Sequence, residues 1–406
     1  MSATGPRAAL EVVHVITDLG QGGAEAMLEK LILASRRETP EVRHRVVSLR
    51  TTGVVGPRLA AAGVPVEALG MTGAASVPAR WRRLVARLAD TPPRTVVQTW
   101  MYHADLLGGL AARRAGRPVV WNIRQTGLSR RDIGRATRVV VRLCGLLSRA
   151  VPRVILCNAA AAIEAHRAFG YDARRFQVIP NGFDTDRFRR DAAGAATLRA
   201  AWGLGDGDIA VGLVARLDPQ KDHATFVRAA AHAAAALPAL RFVLVGRGVP
   251  ESAELRAAIA AAGLASRFVL DGQRSDVAQV MSALDVFCLS SRAEGFPNVL
   301  GEAMACETPA VSTDAGDARA VLGDDERIAP VADPERLAGL IVKVAALPAP
   351  ARRELGKRQR ERIVQLYGID QVWGRYLDLY ERLAGCDLPA ATHRGGEHPC
   401  AGSPDT

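Results

Sequence analysis

Two glutamates eight positions apart, Glu294 and Glu302, are the residues whose types and spacing point most directly to chemistry. Pro297 and Asn298 lie between them and predict the start of a helix, since proline fits the first turn and asparagine caps it well. Backbone N–H groups that are free at a helix start bind phosphate. Here those groups belong to Asn298, Val299 and Leu300. We expect Glu302 to accept hydrogen bonds from a ribose diol and Glu294 from a hexose; alternatively, Glu302 only complements the helix dipole.

A second group of polar residues, Arg216 to Lys221, follows an apolar segment at 209–215 that predicts a strand. An arginine and a lysine on one loop can neutralise a diphosphate without a metal ion. No cluster of carboxylates with the geometry of a divalent-metal site stands out, so we expect neither a metal nor another cofactor. The alternative is an ordinary solvated turn.

Weaker candidates lie on other predicted strand–helix connections. Gly22 and Gly23 follow the first strand, where glycine allows a phosphate or a sugar to approach the backbone closely. Their loop lacks the GxGxxG spacing of a dinucleotide site. Gly246 and Arg274, at strand ends in the second half, could frame a nucleotide base. His103 and Arg124, in the first half, lie at the sheet edge where ligands bind. Each of these residues could also be structural.

Strand and helix patterns alternate through both halves of the chain, which predicts two parallel sheets with crossover helices. Apolar strands bounded by turns predict that both faces of each sheet are covered. Gly- and Asp-rich stretches place the linker within 181–207, and two similar α/β units in tandem leave a cleft that favours a ligand. The predicted divisions are a first domain at 1–190, a second at 191–368, a last helix at 369–385 and a disordered tail at 386–406.

The composition excludes several classes of protein. The 406 residues are 49% hydrophobic and 23% charged, which is typical of globular proteins and excludes wholesale disorder. No apolar run reaches the roughly 18 residues of a membrane-spanning helix. The first residues are a poor secretory signal. The six cysteines lack CxxC spacing, which indicates a reducing compartment rather than disulfides or zinc, and together these features favour a cytoplasmic protein.

The formal net charge of +11 is concentrated in the first half. Residues 75–153 contain sixteen arginines and three acidic residues, whereas the rest of the chain is nearly neutral. Such a stretch favours an anionic partner, for which the sequence leaves a nucleic acid, a membrane surface and a phosphorylated substrate open. The alternative is a solvated face in a chain that uses arginine in place of lysine.

Four segments resemble the family 4 glycosyltransferases, namely Gly22–Glu25, Ile179–Asp184, Arg216–Lys221 and Glu294–Glu302. The resemblance extends over roughly residues 10–385, and the pair of glutamates is its most specific part. It implies the GT-B fold, in which two Rossmann-like domains face a cleft and the last helix crosses back to the first domain. It also implies retaining transfer of a sugar from a nucleotide donor.

The roles of the family's residues carry over by position. The resemblance implies that Arg216 and Lys221 hold the donor diphosphate, that Glu302 holds the ribose and that Glu294 holds the donor sugar. Glu294 and the two cations are then the predicted catalytic set. Backbone contacts to the sugar and phosphate would come from Phe296, Pro297, Asn298, Val299 and Leu300, and further donor contacts from Gly22, Gly23, Gly246 and Arg274.

The sequence departs from the family at Arg124. Many members carry a histidine at the end of the strand that here covers residues 119–124. Arginine stays protonated and cannot serve as a base, so we expect Arg124 to pair with the leaving phosphate or with an anionic acceptor. In a retaining front-face mechanism the leaving phosphate oxygen can take the acceptor proton, so loss of the histidine need not abolish activity, although it argues against a protein base at this position.

Three functions follow from these observations. The first is a cytoplasmic glycosyltransferase that moves a hexose or N-acetylhexosamine from a nucleotide sugar, with UDP favoured by the resemblance, to a lipid-linked or polysaccharide acceptor in cell-surface glycan synthesis. Residues 80–153 would bring it to the inner face of the membrane through anionic headgroups. The second is a sugar-nucleotide epimerase or hydrolase on the same fold. The third, a nucleic-acid-binding protein, is disfavoured because aromatic residues do not alternate with the basic ones.

Overall fold

The computed structural model describes residues 9–128 and 133–385, which form two parallel sheets. The strands of the first sheet are β1 (Glu11–Ile16), β2 (Arg43–Ser48), β3 (Val66–Ala68), β4 (Thr95–Trp100), β5 (Val119–Ile123), β6 (Val154–Cys157) and β7 (Phe176–Val178). The helices that connect them are α1 (Gly23–Glu38), α2 (Val55–Ala61), α3 (Val77–Ala89), α4 (Tyr102–Arg114), α5 (Arg135–Leu147) and α6 (Ala161–Arg167). In space the order is β3-β2-β1-β4-β5-β6-β7.

The second sheet has the order β10-β9-β8-β11-β12-β13, the strand order of a dinucleotide-binding fold. Its strands are β8 (Ile209–Val214), β9 (Leu240–Val245), β10 (Phe268–Asp271), β11 (Val286–Leu289), β12 (Ala310–Thr313) and β13 (Ile328–Ala329). The helices are α7 (Ala192–Ala201), α8 (His223–Ala236), α9 (Ala253–Ala261), α10 (Val277–Ala283), α11 (Asn298–Ala305), α12 (Ala318–Leu322), α13 (Pro334–Ala345), α14 (Ala349–Tyr367) and α15 (Ile369–Gly385).

The residues of β1 show why the first sheet is covered on both faces. All six are buried, and neighbouring side chains point in opposite directions. Val12 and Ile16 pack into one apolar core, while Val13 and Val15 pack into a second core on the other face. The prediction of two parallel sheets with covered faces is confirmed, whereas the short elements β3, β7, β13 and α2 and the helix α7 were not predicted.

Part of the segment in which the sequence predicts a linker is helical. α7 begins after Asp191, whose carboxylate accepts a hydrogen bond from the amide of Gly194 at 2.9 Å. Ala195 and Leu198 of this helix join the core of the second domain. The Gly- and Asp-rich composition near residue 191 therefore marks a helix cap as well as the passage between domains.

The chain crosses between the two domains at two adjacent points. Phe183 and Gly368 pair side by side, the amide of Phe183 donating to Tyr367 and the amide of Ile369 donating to Phe183, each at 2.8 Å. After the second crossing, α15 buries Val372 and Trp373 in the core that contains β1 and α1. The last helix therefore completes the first domain, as the resemblance implied.

The sequence also led to predictions about membrane-spanning helices, cysteine pairing and the C-terminal tail. Within the two described ranges, no helix combines the length and the apolar character that crossing a bilayer requires. The four described cysteines are buried and unpaired. The predicted disordered tail at 386–406 lies outside the described residues.

Candidate active site

A cavity of about 380 Å³ opens at the carboxyl edge of the second sheet. β8 and β9 end here at Val214 and Val245, and both residues line the cavity. Ligands of α/β sheets bind at this edge where the strand order reverses, which in this sheet is between β8 and β11. Five of the predicted donor residues line the cavity, namely Arg216, Lys221, Gly246, Arg274 and Val299.

Lys221 and Glu294 form an ion pair beside this cavity. The Lys221 Nζ lies 2.6 Å from Glu294 Oε1, and both side chains are mostly buried, with 18% and 10% of their surface exposed. The hydroxyl of Ser291 donates to the same carboxylate oxygen at 2.7 Å. Two residues 73 positions apart are thus brought together by the loops that follow β8 and β11.

Asp222 holds these two loops against each other. It adopts a left-handed backbone conformation with φ of 48° and caps α8 by accepting a hydrogen bond from the amide of Thr225 at 3.1 Å. Its other carboxylate oxygen accepts a hydrogen bond from Nε of Arg292, which belongs to the loop after β11, at 2.7 Å. The hydroxyl of Ser290 donates to the carbonyl of Lys221 at 3.0 Å. These contacts fix the position of Lys221 before any ligand arrives.

The other two predicted cations of the cavity are held by carboxylates. Arg216 Nη2 lies 2.8 Å from Asp218 Oδ2, and about half of the Arg216 side chain is exposed. A hydrogen bond from the amide of Gln220, together with Arg216, lowers the pKa of Asp218. Arg274 bridges Asp276 and Asp271 at 2.6 and 3.3 Å. Both guanidinium groups retain donors that can turn toward a ligand in the cavity.

The start of α11 differs from the sequence prediction in two respects. Pro297, not Asn298, occupies the cap position, because the Asn298 carboxamide oxygen accepts a hydrogen bond from Asn181 Nδ2 at 2.7 Å. The amide of Leu300 donates to the carbonyl of Pro297 at 3.1 Å and is therefore not free. Among the described residues, the amides of Asn298 and Val299 have no backbone acceptor and remain available at the helix start.

Other residues of the same motif serve the packing around the site. Phe296 is 7% exposed and its ring contacts Phe183 and Tyr367, with centroids 6.0 and 5.8 Å apart. Leu300 is fully buried in the core of the second domain, and Pro297 is also buried. These side chains fix the motif between the crossing segments and the core, so any ligand contact from them must come from the backbone.

Glu302 lies one helical turn beyond Asn298 and does not line the cavity. Burial raises the pKa of its carboxyl group, and the positive charges of Lys30 and Arg187 oppose that rise. Lys30 belongs to α1 in the first domain, where burial lowers its pKa and the charge of Glu302 opposes that change. The sequence analysis missed Lys30, although it is one of only four lysines in the chain. Glu302 thus lies at the border of the two domains.

The candidates of the first domain lie apart from this cavity. Gly22 and Gly23 mark the start of α1 and are exposed, and open space surrounds the position of a side chain at Gly23. His103 is partly exposed in the first turn of α4, and burial, with a contribution from Arg50, lowers its pKa. Arg124 follows β5 and donates to Asn181, Asn122 and Tyr376. All three acceptors are neutral side chains of the protein, and the expected pairing of Arg124 with the leaving phosphate or an anionic acceptor stays a prediction.

The first domain also contacts the donor-side loop directly. A side chain at Gly295 would begin 2.6 Å from Thr126 Oγ1, which lies in the loop after β5. Within the described residues, no three His, Cys, Asp or Glu side chains are arranged to hold a metal ion. The predicted independence from a metal stays a prediction.

The two-sheet architecture is shared with solved structures, one of which is named as a glycosyltransferase of Rickettsia africae. A structure of Anabaena Alr3699/HepE in complex with UDP and glucose superposes with a TM-score of 0.74 over 92% of this chain and 100% of that chain, at 21% identity. At this level of identity the likeness shows the fold, so the class is GT-B: two Rossmann-like domains that face a cleft.

Sequence comparison places the chain within this class. A family model described as Glycosyltransferase Family 4 matches residues 15–187, and one described as Glycosyl transferases group 1 matches residues 208–346. The 2-deoxystreptamine glucosyltransferase of Streptomyces kanamyceticus is 31% identical over 301 residues, which are 71% of this chain and 76% of that protein. The chain belongs to the family 4 glycosyltransferases and is a glycosyltransferase.

A further relative has a very different acceptor in its name. The N-acetylgalactosamine-N,N'-diacetylbacillosaminyl-diphospho-undecaprenol 4-alpha-N-acetylgalactosaminyltransferase of Campylobacter jejuni is 28% identical over 221 residues, which are 49% of this chain and 57% of that protein. Relatives of this chain therefore include proteins named for a small aminocyclitol and for a lipid diphosphate.

Proposed function

We propose that this glycosyltransferase transfers a hexose or N-acetylhexosamine from a UDP-sugar to a lipid-linked or polysaccharide acceptor in cell-surface glycan synthesis, with retention and without a metal ion. The observation that carries the proposal is the cavity at the switch point of the second sheet, which Arg216, Lys221 and Arg274 line beside the start of α11. These three cations and Val299, whose amide has no backbone acceptor, line a space of the size that small-molecule sites occupy.

The charges around the cavity suit a diphosphate. The charge of Lys221 is neutralised by Glu294, at 2.6 Å. A donor diphosphate would compete for the ammonium group and free the carboxylate, which could then accept hydrogen bonds from the sugar hydroxyls. Arg216 and Arg274 can neutralise the remaining charge through charge-assisted hydrogen bonds. The pair therefore supports the assigned roles of both residues.

Gly246 supports a nucleotide at the same place. A side chain at this position would begin only 2.0 Å from the carbonyl oxygen of Ala215, so only glycine lets the loops after β8 and β9 lie this close. Gly246 also lines the cavity beside Gln273 and Arg274. We assign this edge to the uracil base, through backbone contacts.

The proposed reaction takes place on one face of the donor sugar. The bond from the anomeric carbon to the phosphate oxygen breaks, and the acceptor oxygen bonds to that carbon from the same side. The acceptor proton passes to the departing phosphate oxygen, so no protein base is required, consistent with an arginine at position 124. Lys221 and Arg216 would stabilise the negative charge that develops on the phosphate.

The proposal is tested with a panel of nucleotide sugars. A ligand that binds only the folded state raises the melting temperature, so UDP and a UDP-hexose should stabilise the protein more than the corresponding GDP compounds. The stabilising donor is then supplied in labelled form with a polyprenyl-diphosphate sugar and with EDTA present. A labelled product of retained configuration is expected. Free sugar or an epimer as the main product, or loss of activity with EDTA, would contradict the proposal.

The acceptor has a rival candidate, because the glucosyltransferase relative is named for 2-deoxystreptamine. That compound is a diamine, whereas the first domain of this chain is rich in arginine. Repulsion between like charges disfavours a cationic acceptor there, and attraction favours a diphosphate. Parallel assays with 2-deoxystreptamine and a polyprenyl-diphosphate sugar should therefore give transfer only to the diphosphate; transfer to the diamine would favour the rival.

The outer face of α5 supports a membrane surface as a further partner. Val139, Leu143 and Leu146 are exposed to 59%, 42% and 77%, although they are aliphatic. Arg135 and Arg142 are exposed on the same helix, and within the described ranges no carboxylate lies within 4.0 Å of either. A helix face that combines aliphatic and unpaired basic side chains fits an anionic bilayer. We propose that α5 docks the enzyme on anionic lipid.

Vesicle sedimentation tests this docking. Wild-type protein should sediment with vesicles that contain phosphatidylglycerol at low salt, and much less at high salt or with phosphatidylcholine alone. The double substitution Leu143→Glu and Leu146→Glu should lower the partition coefficient by at least about tenfold, since two aliphatic side chains are lost from the contact. Val364→Glu, which changes a valine of 40% exposure in the second domain, is the matched control. Equal binding to both kinds of vesicle would refute the proposal.

A further inference from the structure

Arg124 joins parts of the molecule that are far apart in the sequence. Its Nη1 donates to Asn122 Oδ1 at 3.1 Å and to the hydroxyl oxygen of Tyr376 at 3.2 Å. Its Nη2 donates to the carboxamide oxygen of Asn181. The guanidinium carbon lies 5.8 Å from the centre of the Trp100 ring. One side chain therefore contacts two strands of the first domain, the first crossing segment and the last helix.

The chain of hydrogen bonds continues to the donor site. Asn181 uses its oxygen for Arg124 and its Nδ2 for the Asn298 oxygen, at 2.7 Å. Asn298 is the first residue of α11, and the next residue, Val299, lines the cavity. The guanidinium of Arg124 is thus two hydrogen bonds away from the helix start whose free amides face the proposed donor phosphate.

The surroundings of Arg124 show that its shape matters more than its charge. Asn122, Trp100 and Tyr376 are fully buried, Asn181 is 9% exposed and Arg124 itself is partly buried. No carboxylate in the described ranges comes within 4.0 Å of the guanidinium. A planar fork that donates in several fixed directions can hold three neutral oxygens at once, whereas a lysine ammonium group on a flexible stem cannot reproduce that geometry.

The hydrogen-bond network around Arg124 lies where the chain crosses between the two domains. Asn181 precedes Gly182, where a side chain would collide with Ile369 of the second crossing at 2.5 Å. Tyr376 lies two turns further along α15. The network is therefore attached to both segments that join the domains and to the helix that begins at Asn298.

We propose that Arg124 is a positioning residue that fixes the start of α11 through Asn181 and so couples the geometry of the donor site to the arrangement of the two domains. It would act on the donor through Asn298 and not by contact with the leaving phosphate or the acceptor. This role goes beyond the proposed function, because it is argued from contacts within the chain alone.

Hydrogen exchange in the ligand-free protein tests the positioning role without reference to any substrate. Arg124→Ala should raise the exchange rate of the amides at 298–301 by about tenfold, since local opening becomes easier when side-chain hydrogen bonds are lost. Asn181→Ala should have a similar effect. The double variant should exchange no faster than about twice the rate of the single variants, because both remove the same connection. Unchanged exchange in Arg124→Ala, or multiplied effects in the double variant, would overturn the proposal.

UDP binding by calorimetry provides a second arm, which rests on the proposed donor site. Arg124→Lys should lose as much affinity for UDP as Arg124→Ala, about tenfold, because the charge is kept and the fork is lost. Retention of affinity in the lysine variant would instead show a direct ionic role. If wild-type protein does not bind UDP while exchange at α11 responds as expected, the proposed donor fails and the positioning role stands.

Two control variants distinguish a specific effect of Arg124 from a general loss of structure. Arg138→Ala removes another partly buried arginine of the first domain, which lies 5.1 Å above the Phe169 ring and does not contact a crossing segment. It should leave exchange at 298–301 unchanged. Tyr376→Phe removes only the hydroxyl that accepts from Arg124, and it should raise that exchange less than Arg124→Ala, with the fold intact. An effect of Arg138→Ala equal to that of Arg124→Ala would overturn the assignment.

Discussion

At the scale of single residues, the pair formed by Lys221 and Glu294 is the central feature of the donor site. Each side chain is mostly buried, and each is the closest opposite charge of the other. A buried pair is weak evidence for stability, because its desolvation offsets most of its attraction. The contact is better explained by the roles proposed above, in which Lys221 binds the diphosphate and Glu294 binds the donor sugar.

Lys221→Ala should weaken UDP binding by about 10- to 100-fold, since a hydrogen bond between charged groups contributes about 1.5–3 kcal/mol. Isothermal titration with UDP measures this directly. Lys343→Ala, which removes an exposed lysine of α13, is the control and should bind UDP as wild-type protein does. Unchanged affinity in Lys221→Ala would exclude the lysine from the diphosphate site.

Glu294→Ala should lower kcat by at least about 100-fold without weakening UDP binding, because UDP lacks the sugar that the carboxylate would hold and the substitution leaves Lys221 free for the diphosphate. The comparison of turnover with UDP titration separates these effects. Glu302→Ala should do the opposite if Glu302 holds the ribose, with a clear loss of UDP affinity. Equal UDP affinity in wild type and Glu302→Ala would leave Glu302 outside the donor site.

At the scale of elements, the loops that form the site pack so closely that a side chain cannot be added at Gly316 without a clash. Gly316 has φ of +56°, and a side chain there would begin 2.4 Å from the carbonyl oxygen of Glu294. The backbone after β12 thereby presses against the loop that carries the donor-side glutamate. Such a contact cannot be relieved by a side-chain rotation, because the backbone fixes the positions of both the Cβ atom and the carbonyl oxygen.

Gly316→Ala should therefore displace Glu294 and lower kcat/KM by about tenfold or more, with a loss of about 1–2 kcal/mol in the free energy of unfolding. Steady-state kinetics and urea unfolding give the two values. Gly339→Ala in α13 is the matched control, since no atom lies within 4 Å of the added methyl group and alanine favours a helix. Full activity in Gly316→Ala would show that the loop adapts freely.

Strands β1 and β2 bring two buried histidines together beneath the last helix. His14 Nε2 and His44 Nδ1 lie 3.0 Å apart, and His44 also contacts the Ser35 hydroxyl at 2.7 Å. Burial, with a contribution from Arg36, lowers the pKa of His44 to about 4, and burial together with the neighbouring His44 lowers the pKa of His14. The unfolded chain therefore takes up protons that the folded protein resists.

The direction in which pH changes the stability of the protein follows from the difference between the pKa of His44 in the folded and in the unfolded chain. Above pH 6.5, the ordinary pKa of histidine, His44 is neutral in both the folded and the unfolded protein. The free energy of unfolding then decreases as the pH falls from 6.5 toward about 4, the pKa of His44 in the folded protein. At pH 5 the loss from His44 alone should be about 2 kcal/mol. His44→Asn should remove that part of the pH dependence in urea unfolding at pH 7.5 and 5. The exposed His232→Asn serves as control; an unaltered pH dependence in His44→Asn would refute the argument.

At the scale of the whole molecule, the fold followed from local patterns and the site followed only in part. Apolar strands such as β1 and β8 and the alternation with helices are local properties, so both sheets could be predicted. The E-x7-E motif and the Arg216–Lys221 loop are compact in sequence, and their convergence on one edge follows from strand topology. The electrostatic interaction of Lys30 with Glu302, the packing of Phe296 and the partners of Arg124 depend on how the domains meet, which no local pattern encodes.

The return of α15 to the first domain has a consequence for how the protein is made. Trp373 and Tyr376 fill the core that contains β1 and α1, so the opening strand and the closing helix share one apolar interior. Chains emerge from the ribosome in order, and domains generally fold as they appear. Here the second domain can fold while the first domain still lacks α15, so the core of the first domain is completed only after the second domain has been synthesised.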